Sequence, residues 1–333
     1  MQYTLNDFDY HLPETLIAQK PATPRDHSRL LVYDRSRQAI SDDYFYNIGH
    51  YLPKETSLVV NNSKVEKCRL LFDGGAKEIF VTKAVNNRTV EAMVRPGKKF
   101  KPGKTIQLTD QLSAKVLSAA DDGIRTIELS HSLDDPVMEP YKHTPFPPYI
   151  ERDESLSDRY QTVFAKDLGS KAAPTAGLHF TPELLAKLGK EGIQKKEVTL
   201  HVGLGTFAPV KTERIEDHIM HSEWFQITRE QAELLNTSKN LTAVGTTSVR
   251  VLESVPKENG KFIPSTGETN IFITPGYKFK TVDHLITNFH LPKSTLLMLI
   301  AAFMGFDEMH RVYEHAIRKK YRFYSFGDAM LIL

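Results

Sequence analysis

The chain has 333 residues, 40% of them hydrophobic and 25% charged, enough to bury a sizeable core and with no low-complexity tract to suggest disorder. Forty-three Lys and Arg against 41 Asp and Glu leave a formal charge of +2, so a polyanion has to be held by a local basic patch rather than by overall charge. Cys68 is the single cysteine, which excludes an internal disulfide and any multi-cysteine metal or iron–sulfur site built from this chain alone.

The amino terminus lacks a basic stretch leading into an apolar run, and the longest apolar run, Leu296 to Phe303, is far short of a bilayer span. A cytoplasmic protein without a membrane partner is expected. In the first sixty residues Arg29 to Tyr33 reads as a strand, Asp34 to Gln38 as a turn and Leu58 to Val60 as a buried strand.

From Lys64 to Leu129 the texture becomes β-rich. Six short segments (Cys68 to Phe72, Glu78 to Val85, Thr89 to Val94, Thr105 to Leu108, Ala114 to Ser118 and Ile124 to Leu129) alternate with turns such as Arg95-Pro-Gly97 and Asp121-Asp-Gly123. Hairpin spacing with no helix between predicts a small barrel or sandwich that closes its own edges. The prolines of Thr144-Pro-Phe-Pro-Pro-Tyr149 then predict a stiff extended linker.

Beyond it strands and helices alternate. Thr181-Pro-Glu-Leu184 opens a helix that should stop near Gly192, Lys195 to Val202 is a strand, and Thr228-Arg-Glu-Gln231 fits a capping box. Leu241 to Gly245 is a strand, Thr246 to Ser248 opens the next helix, and Asn270 to Thr274 and His284 to Phe289 read as further strands. Ser294 caps an almost wholly apolar helix, and Asp307 to Lys320 is amphipathic. The early strands have no sheet of their own, so they should complete the later one. The expected fold is an α/β main domain, a mixed sheet with flanking helices formed by residues 1–62 and 149–333, carrying an inserted small β-barrel at 63–148.

Polar residues gather where strands hand over to helices. Gly245-Thr-Thr-Ser248 should converge amides and hydroxyls at a positive helix end, and Arg250 adds a guanidinium able to grip phosphate or carboxylate; a plain polar N-cap is the alternative. Gly203-Leu-Gly205 lacks the third glycine and the later acid of a dinucleotide site, yet lets backbone approach a ligand or simply turns tightly.

Asp217-His-Ile-Met-His-Ser-Glu223 supplies imidazoles and carboxylates for proton exchange, with a mononuclear metal or a structural hydrogen-bonding role as the other readings. His179 and His290 fit either catalysis or half-buried hydrogen bonding. Arg95, Lys98, Lys99, Lys101 and Lys104 form either a phosphate-contacting strip or a solvated loop. No nucleophile elbow or Walker lysine appears, so spacing alone leads to an anion-binding enzyme or an RNA-binding module.

The chain resembles the S-adenosylmethionine:tRNA ribosyltransferase-isomerase family of queuosine biosynthesis through ordered blocks along almost its whole length. They include Asp7-Phe-Asp-Tyr10, Pro24-Arg-Asp26, Pro147-Pro-Tyr-Ile150, Arg159-Tyr-Gln-Thr-Val-Phe164, Ala173-Pro-Thr-Ala-Gly-Leu-His-Phe180, His201-Val-Gly-Leu-Gly-Thr-Phe207, the 217–223 block, Gly245 to Arg250, Pro275-Gly-Tyr277, Asn288-Phe-His-Leu-Pro292 and Gly327-Asp-Ala-Met330. Asn61-Asn-Ser-Lys64 departs from the family's usual Asn-Asp-Thr, and Glu66-Lys67-Cys68 from an apolar-Pro-Ala run.

The resemblance implies an α/β domain with an inserted barrel and a defined reaction. The ribosyl part of S-adenosylmethionine passes to the aminomethyl group of a 7-deazaguanine at the tRNA wobble position and isomerises, giving epoxyqueuosine with release of adenine and methionine. S-Adenosylmethionine is a co-substrate, and no metal or other cofactor is implied.

Within that chemistry, Glu223 or His221 is expected to remove a proton and His179 or His290 to assist adenine departure. Thr246, Thr247 and Ser248 with Arg250 are expected to hold the methionine carboxylate or an RNA phosphate, and Phe180 and Phe207 to flank adenine. Thr175, Gly177, Gly203, Gly205, Thr206 and Asn288 complete the expected substrate-binding set. A cleft between barrel and α/β domain should close over the anticodon loop, with binding steeply dependent on salt. A monomer is compatible with the sequence. The competing classes are a non-catalytic tRNA-binding module and a nucleosidase acting without RNA.

Overall fold

The computed structural model describes residues 3–203, 205, 210 and 212–333. In chain order come β1 (Arg29–Asp34), β2 (Ala39–Tyr44), β3 (Thr56–Asn61) and β4 (Ser63–Val65), then β5 (Arg69–Phe72), β6 (Lys77–Ala84), β7 (Thr89–Arg95), β8 (Thr105–Gln107), β9 (Ser113–Ala119), β10 (Arg125–Leu129) and β11 (Lys142–His143). They are followed by β12 (Asp167–Ser170), α1 (Pro182–Lys190), β13 (Gln194–Leu200), β14 (Glu223–Ile227), α2 (Arg229–Leu235), β15 (Asn240–Val244) and α3 (Thr246–Ser254). The chain ends with β16 (Lys257–Glu258), β17 (Lys261–Phe262), β18 (Ser265–Thr269), β19 (His284–Asn288), α4 (Thr295–Met304), α5 (Phe306–Arg318) and β20 (Ala329–Ile332). Two compact units result: Met1–Lys64 with Pro147–Leu333, and Val65–Phe146.

The first unit is built on a nine-stranded mixed sheet in the order β18-β14-β13-β3-β15-β19-β20-β1-β2. Every residue of β3 is buried, because the strand lies between parallel β13 and β15 and both sheet faces are covered. Val59 faces a cluster filled by α3, α4 and α5, while Leu58 and Val60 face a second cluster with Leu184 and Leu188 of α1. β1 pairs in parallel with the carboxy-terminal β20, so the early strands do complete the later sheet.

Local signals set the helices as their sequences indicate. Thr181 Oγ1 accepts from Leu184 N at the start of α1, Thr228 and Gln231 form the reciprocal capping box of α2, and Ser294 caps α4. The one displaced strand is that expected at 270–274. The edge strand is instead the polar β18, Ser265–Thr269, paired antiparallel with β14. Ile271, Phe272 and Ile273 are apolar because they pack on the core without ladder pairing.

The second unit is a seven-stranded antiparallel sheet in the order β11-β5-β6-β7-β10-β9-β8. Ala114 and Val116 of β9 are buried while Lys115 and Leu117 are exposed, the alternation of a sheet with one wet face. Among the described residues no ladder joins β11 to β8, so the sheet is open where a closed barrel is expected. Those end strands, two and three residues long, are too short to supply a closing ladder.

Candidate active site

β13, β3, β15 and β19 run parallel, which brings their carboxyl ends to one edge of the sheet. The segments leaving β13, β15 and β19 line a single pocket through Val202, Gly245 to Thr247 and Asn288 to Leu291. Ala172 to Ala176, Tyr149, Tyr324 and Ser325 complete the wall. A crevice outside the carboxyl ends of parallel strands is where open α/β sheets bind ligands.

Two helices open onto this pocket. Gly245, at φ +88 and ψ 154, turns the chain from β15 into α3 in a conformation that side chains rarely adopt, and a Cβ there would lie 3.4 Å from Thr247 Oγ1. Ser294 and Leu296, at the start of α4, line it as well. Among the described residues no carboxylate lines the pocket, so the positive potential of both helix N-termini is not offset by a lining acid there. Among the described residues Thr247 Oγ1 and Asn288 Oδ1 are buried without a hydrogen-bond partner, an unusual state for buried polar atoms.

Asn288 stands between the pocket and His179. Its amide nitrogen donates to His179 Nε2 (3.2 Å) and to the Tyr324 carbonyl (3.1 Å). His179 Nε2 is therefore an acceptor, and Nδ1 carries the proton toward Ser28 Oγ (2.8 Å). Burial pushes this imidazole down to about 4. His290 lines the pocket itself, its Nε2 2.8 Å from Thr287 Oγ1, and burial pushes it down to about 3. Both histidines are neutral at physiological pH, so neither stores a proton as imidazolium for adenine departure.

Glu223, at the start of β14, is paired with Arg250 of α3, and both side chains are buried. Glu223 Oε1 also accepts from Gly203 N (2.9 Å), while Arg250 Nη2 donates to the Thr269 carbonyl (3.3 Å). Neither lines the pocket; the pair fastens the Gly203 segment and β18 to α3. Arg250 thus has a carboxylate in hand rather than an open face for a ligand anion.

The 217–223 block is not helical beyond the single turn Ile215–Asp217. His218 meets Phe272 edge-on, and exposed His221 lies so close over Gly205 that a Cβ at that glycine would collide with its ring. Among the described residues no three His, Cys, Asp or Glu side chains converge as a metal site.

Of the other expected residues, Thr175 and Thr246 line the pocket. Phe180 does not: it is fully buried beside Phe45 in the core under α1, too deep to flank adenine. Gly177 is a packing residue, since a Cβ there would lie 2.6 Å from the Phe164 ring, and Ser248 is buried with its hydroxyl on the Val244 carbonyl. Thr206 and Phe207 lie outside the described residues. Arg95 pairs with Glu78 at 3.1 Å, and Lys98, Lys99, Lys101 and Lys104 are exposed in the second unit between β7 and β8.

Sequence reading misses Tyr149, Tyr324 and Ser325 as pocket residues. Tyr149 belongs to a proline-rich block read as linker, and Tyr324 (φ +72) lies in a loop without a motif of its own. Tyr149 and Tyr324 pack with ring centres 4.7 Å apart and ring planes tilted by 52°, and the Tyr149 hydroxyl meets Ser325 Oγ at 2.8 Å. Asn62 plays a structural part, its amide donating to Glu197 and its carbonyl oxygen accepting from Thr199. An acid at this position would face the Glu197 carboxylate.

A profile of the family described as queuosine biosynthesis protein matches residues 5–332. The S-adenosylmethionine:tRNA ribosyltransferase-isomerase of Symbiobacterium thermophilum is 48% identical, with 99% of each chain covered. The protein of that name from Thermotoga petrophila is 47% identical over 99% of each, and that from Clostridium kluyveri 45% over 98% of this chain and 99% of its own. The crystal structure of S-adenosylmethionine tRNA ribosyltransferase from Thermotoga maritima aligns with a TM-score of 0.57 at 38% identity, covering 98% of this chain and 100% of that one.

Proposed function

This chain belongs to the queuosine biosynthesis family of S-adenosylmethionine:tRNA ribosyltransferase-isomerases, and we propose that it binds S-adenosylmethionine in the pocket at the carboxyl ends of β13, β15 and β19. The enzyme transfers and isomerises the ribosyl moiety of S-adenosylmethionine onto tRNA. The acceptor we assign is the aminomethyl group of a 7-deazaguanine at the wobble position, and the products are epoxyqueuosine-tRNA, adenine and methionine. The observation that carries the location is the meeting, in one pocket, of two helix N-termini with two buried oxygens that, among the described residues, have no hydrogen-bond partner and no carboxylate beside them in the lining.

The two ends of the methionine part make opposite demands. Its carboxylate suits the amides at the starts of α3 and α4, where positive potential is concentrated. Its sulfonium suits the aromatic rings of Tyr149 and Tyr324. Thr247 Oγ1 can donate to ligand oxygens, and Asn288 Oδ1 can accept from an adenine or ribose donor.

The sulfonium acidifies the adjacent ribose methylene, and a base removes the proton before adenine leaves and the substrate amine attacks. We assign the base to His221, exposed beside Gly205, rather than to Glu223, which is committed to Arg250 and Gly203; neither lines the pocket in the free protein. His290 and His179 act as neutral hydrogen-bonding groups that orient the ligand, directly and through Asn288. No cofactor enters this scheme. Incubation with S-adenosylmethionine, with and without tRNA bearing the aminomethyl base, tests it: chromatography should find adenine only when that RNA is present. Adenine without RNA, or none with it, contradicts the assignment.

A further inference from the structure

On the far side of His179 from the substrate pocket lies a small second niche, lined by Pro21, Ala22, Arg25, Arg159, His179 and Ser325 among others. It carries two guanidinium groups from sequence blocks that the reaction leaves unused, Pro24-Arg-Asp26 and Arg159 to Phe164. Arg25 donates to the carbonyls of Gln161 (2.8 Å) and Asp158 (3.1 Å), and more weakly to that of Leu178. Arg159 donates to the Ala22 carbonyl (2.5 Å) and Thr23 Oγ1 (3.1 Å), while its Nε is buried with no partner.

Among the described residues neither guanidinium is paired with a carboxylate. Burial, and next the neighbouring Arg159 charge, hold Arg25 below the usual arginine range. Two like charges so placed repel each other, and an oxyanion between them removes that repulsion while occupying unused N–H donors.

We propose that Arg25 and Arg159 form a phosphate-binding site for the backbone of the tRNA, next to the nucleotide presented to the substrate pocket. The site rests on the functional reading above and deepens it. Ser325 lines both cavities, and His179 touches Asn288, which lines the substrate pocket. A phosphate seated here would therefore lie one layer of side chains from the reaction. RNA loops are held by phosphates while their unstacked base is inserted elsewhere, which is the division of labour these two cavities provide.

Equilibrium binding of a fluorescent anticodon stem-loop RNA, followed against salt concentration, tests the proposal. Arg25→Gln and Arg159→Gln should each weaken binding roughly tenfold and lower the log-log salt slope by about 0.7 to 0.9, the value of one lost phosphate contact. S-Adenosylmethionine affinity should not change. Folded variants with wild-type affinity and slope overturn the proposal, as does a loss confined to S-adenosylmethionine.

If a glutamine variant fails to fold, Arg159→Lys keeps the charge without the planar fork. It should bind the stem-loop more weakly at an unchanged slope, and wild-type affinity in that variant overturns the site. Wild-type protein that ignores the stem-loop defeats the functional reading and this proposal together. Wild-type binding with unaffected variants defeats only this one.

Discussion

Asn288 donates its side-chain amide to His179 Nε2 at 3.2 Å while its own Oδ1, buried at the pocket wall, has no partner among the described residues. The geometry fixes His179 as a neutral imidazole with its proton on Nδ1, held by Ser28. Behind the pocket wall is thus a neutral hydrogen-bonded chain running from Ser28 through His179 to Asn288.

The depressed histidines make stability depend on acid. From an ordinary value of 6.5, His179 is lowered to about 4 and His290 to about 3, so the unfolded chain takes up protons that the folded one refuses. Their contribution is complete above pH 6.5 and is lost progressively as pH falls toward 4. Urea unfolding at pH 7 and pH 5 should show this loss, and His179→Gln should remove part of the difference.

Thr247→Val separates a ligand-binding hydroxyl from a structural one. Because Thr247 Oγ1 has no partner among the described residues, its removal should leave stability within about 0.5 kcal/mol, whereas S-adenosylmethionine affinity should fall roughly tenfold. Calorimetric titration beside a thermal melt measures both. Equal affinity in the variant places the co-substrate away from the start of α3.

The Glu223 and Arg250 pair should behave as a structural lock. Either Glu223→Gln or Arg250→Ala leaves an uncompensated buried partner and should destabilise the protein by about 3 to 5 kcal/mol. In a double-mutant cycle the two losses should fall well short of adding, and additive losses would show that the two side chains do not act on each other.

Gly245→Ala tests the turn that aims α3. At φ +88 and ψ 154 a side chain is strained, at a cost of about 1 to 3 kcal/mol. Relief of that strain swings the first amides of α3 away from the pocket. KM for S-adenosylmethionine should rise while stem-loop affinity stays near that of the wild type.

Much of the main sheet is legible in the sequence because its strands and helices carry clear local signals. β1, β3, β15 and β19 are built around apolar residues, and the starts of α1, α2 and α4 carry their caps. β2 and β18 escape notice because edge strands with half-exposed polar residues have no apolar signature, and Phe272 attracts a strand assignment that core packing without pairing explains. Closure of the second sheet is equally hidden, since strand spacing reports hairpins and says nothing of whether the two ends meet.

At the site, residues at strand ends are legible by position: Thr175, Thr246, Thr247, Asn288 and His290 all reach the pocket. What local spacing cannot convey is which polar residues spend themselves on one another. Arg250 and Glu223 look like ligand groups until their buried pairing is seen, and Phe180 looks available until its burial is seen. Pro275-Gly-Tyr277 is similarly a structural block, with the Tyr277 hydroxyl donating to Glu253 at 3.0 Å while three backbone amides from Lys280, Thr281 and Val282 bind the same carboxylate.

A crystal structure of the protein with S-adenosylmethionine bound is the most direct measurement of where the reaction occurs. The predicted result is a methionine carboxylate at the first amides of α3 and α4, with Thr247 Oγ1 and Asn288 Oδ1 both engaged by the ligand. Density for the nucleoside elsewhere, with those two oxygens still unpartnered, would contradict the account.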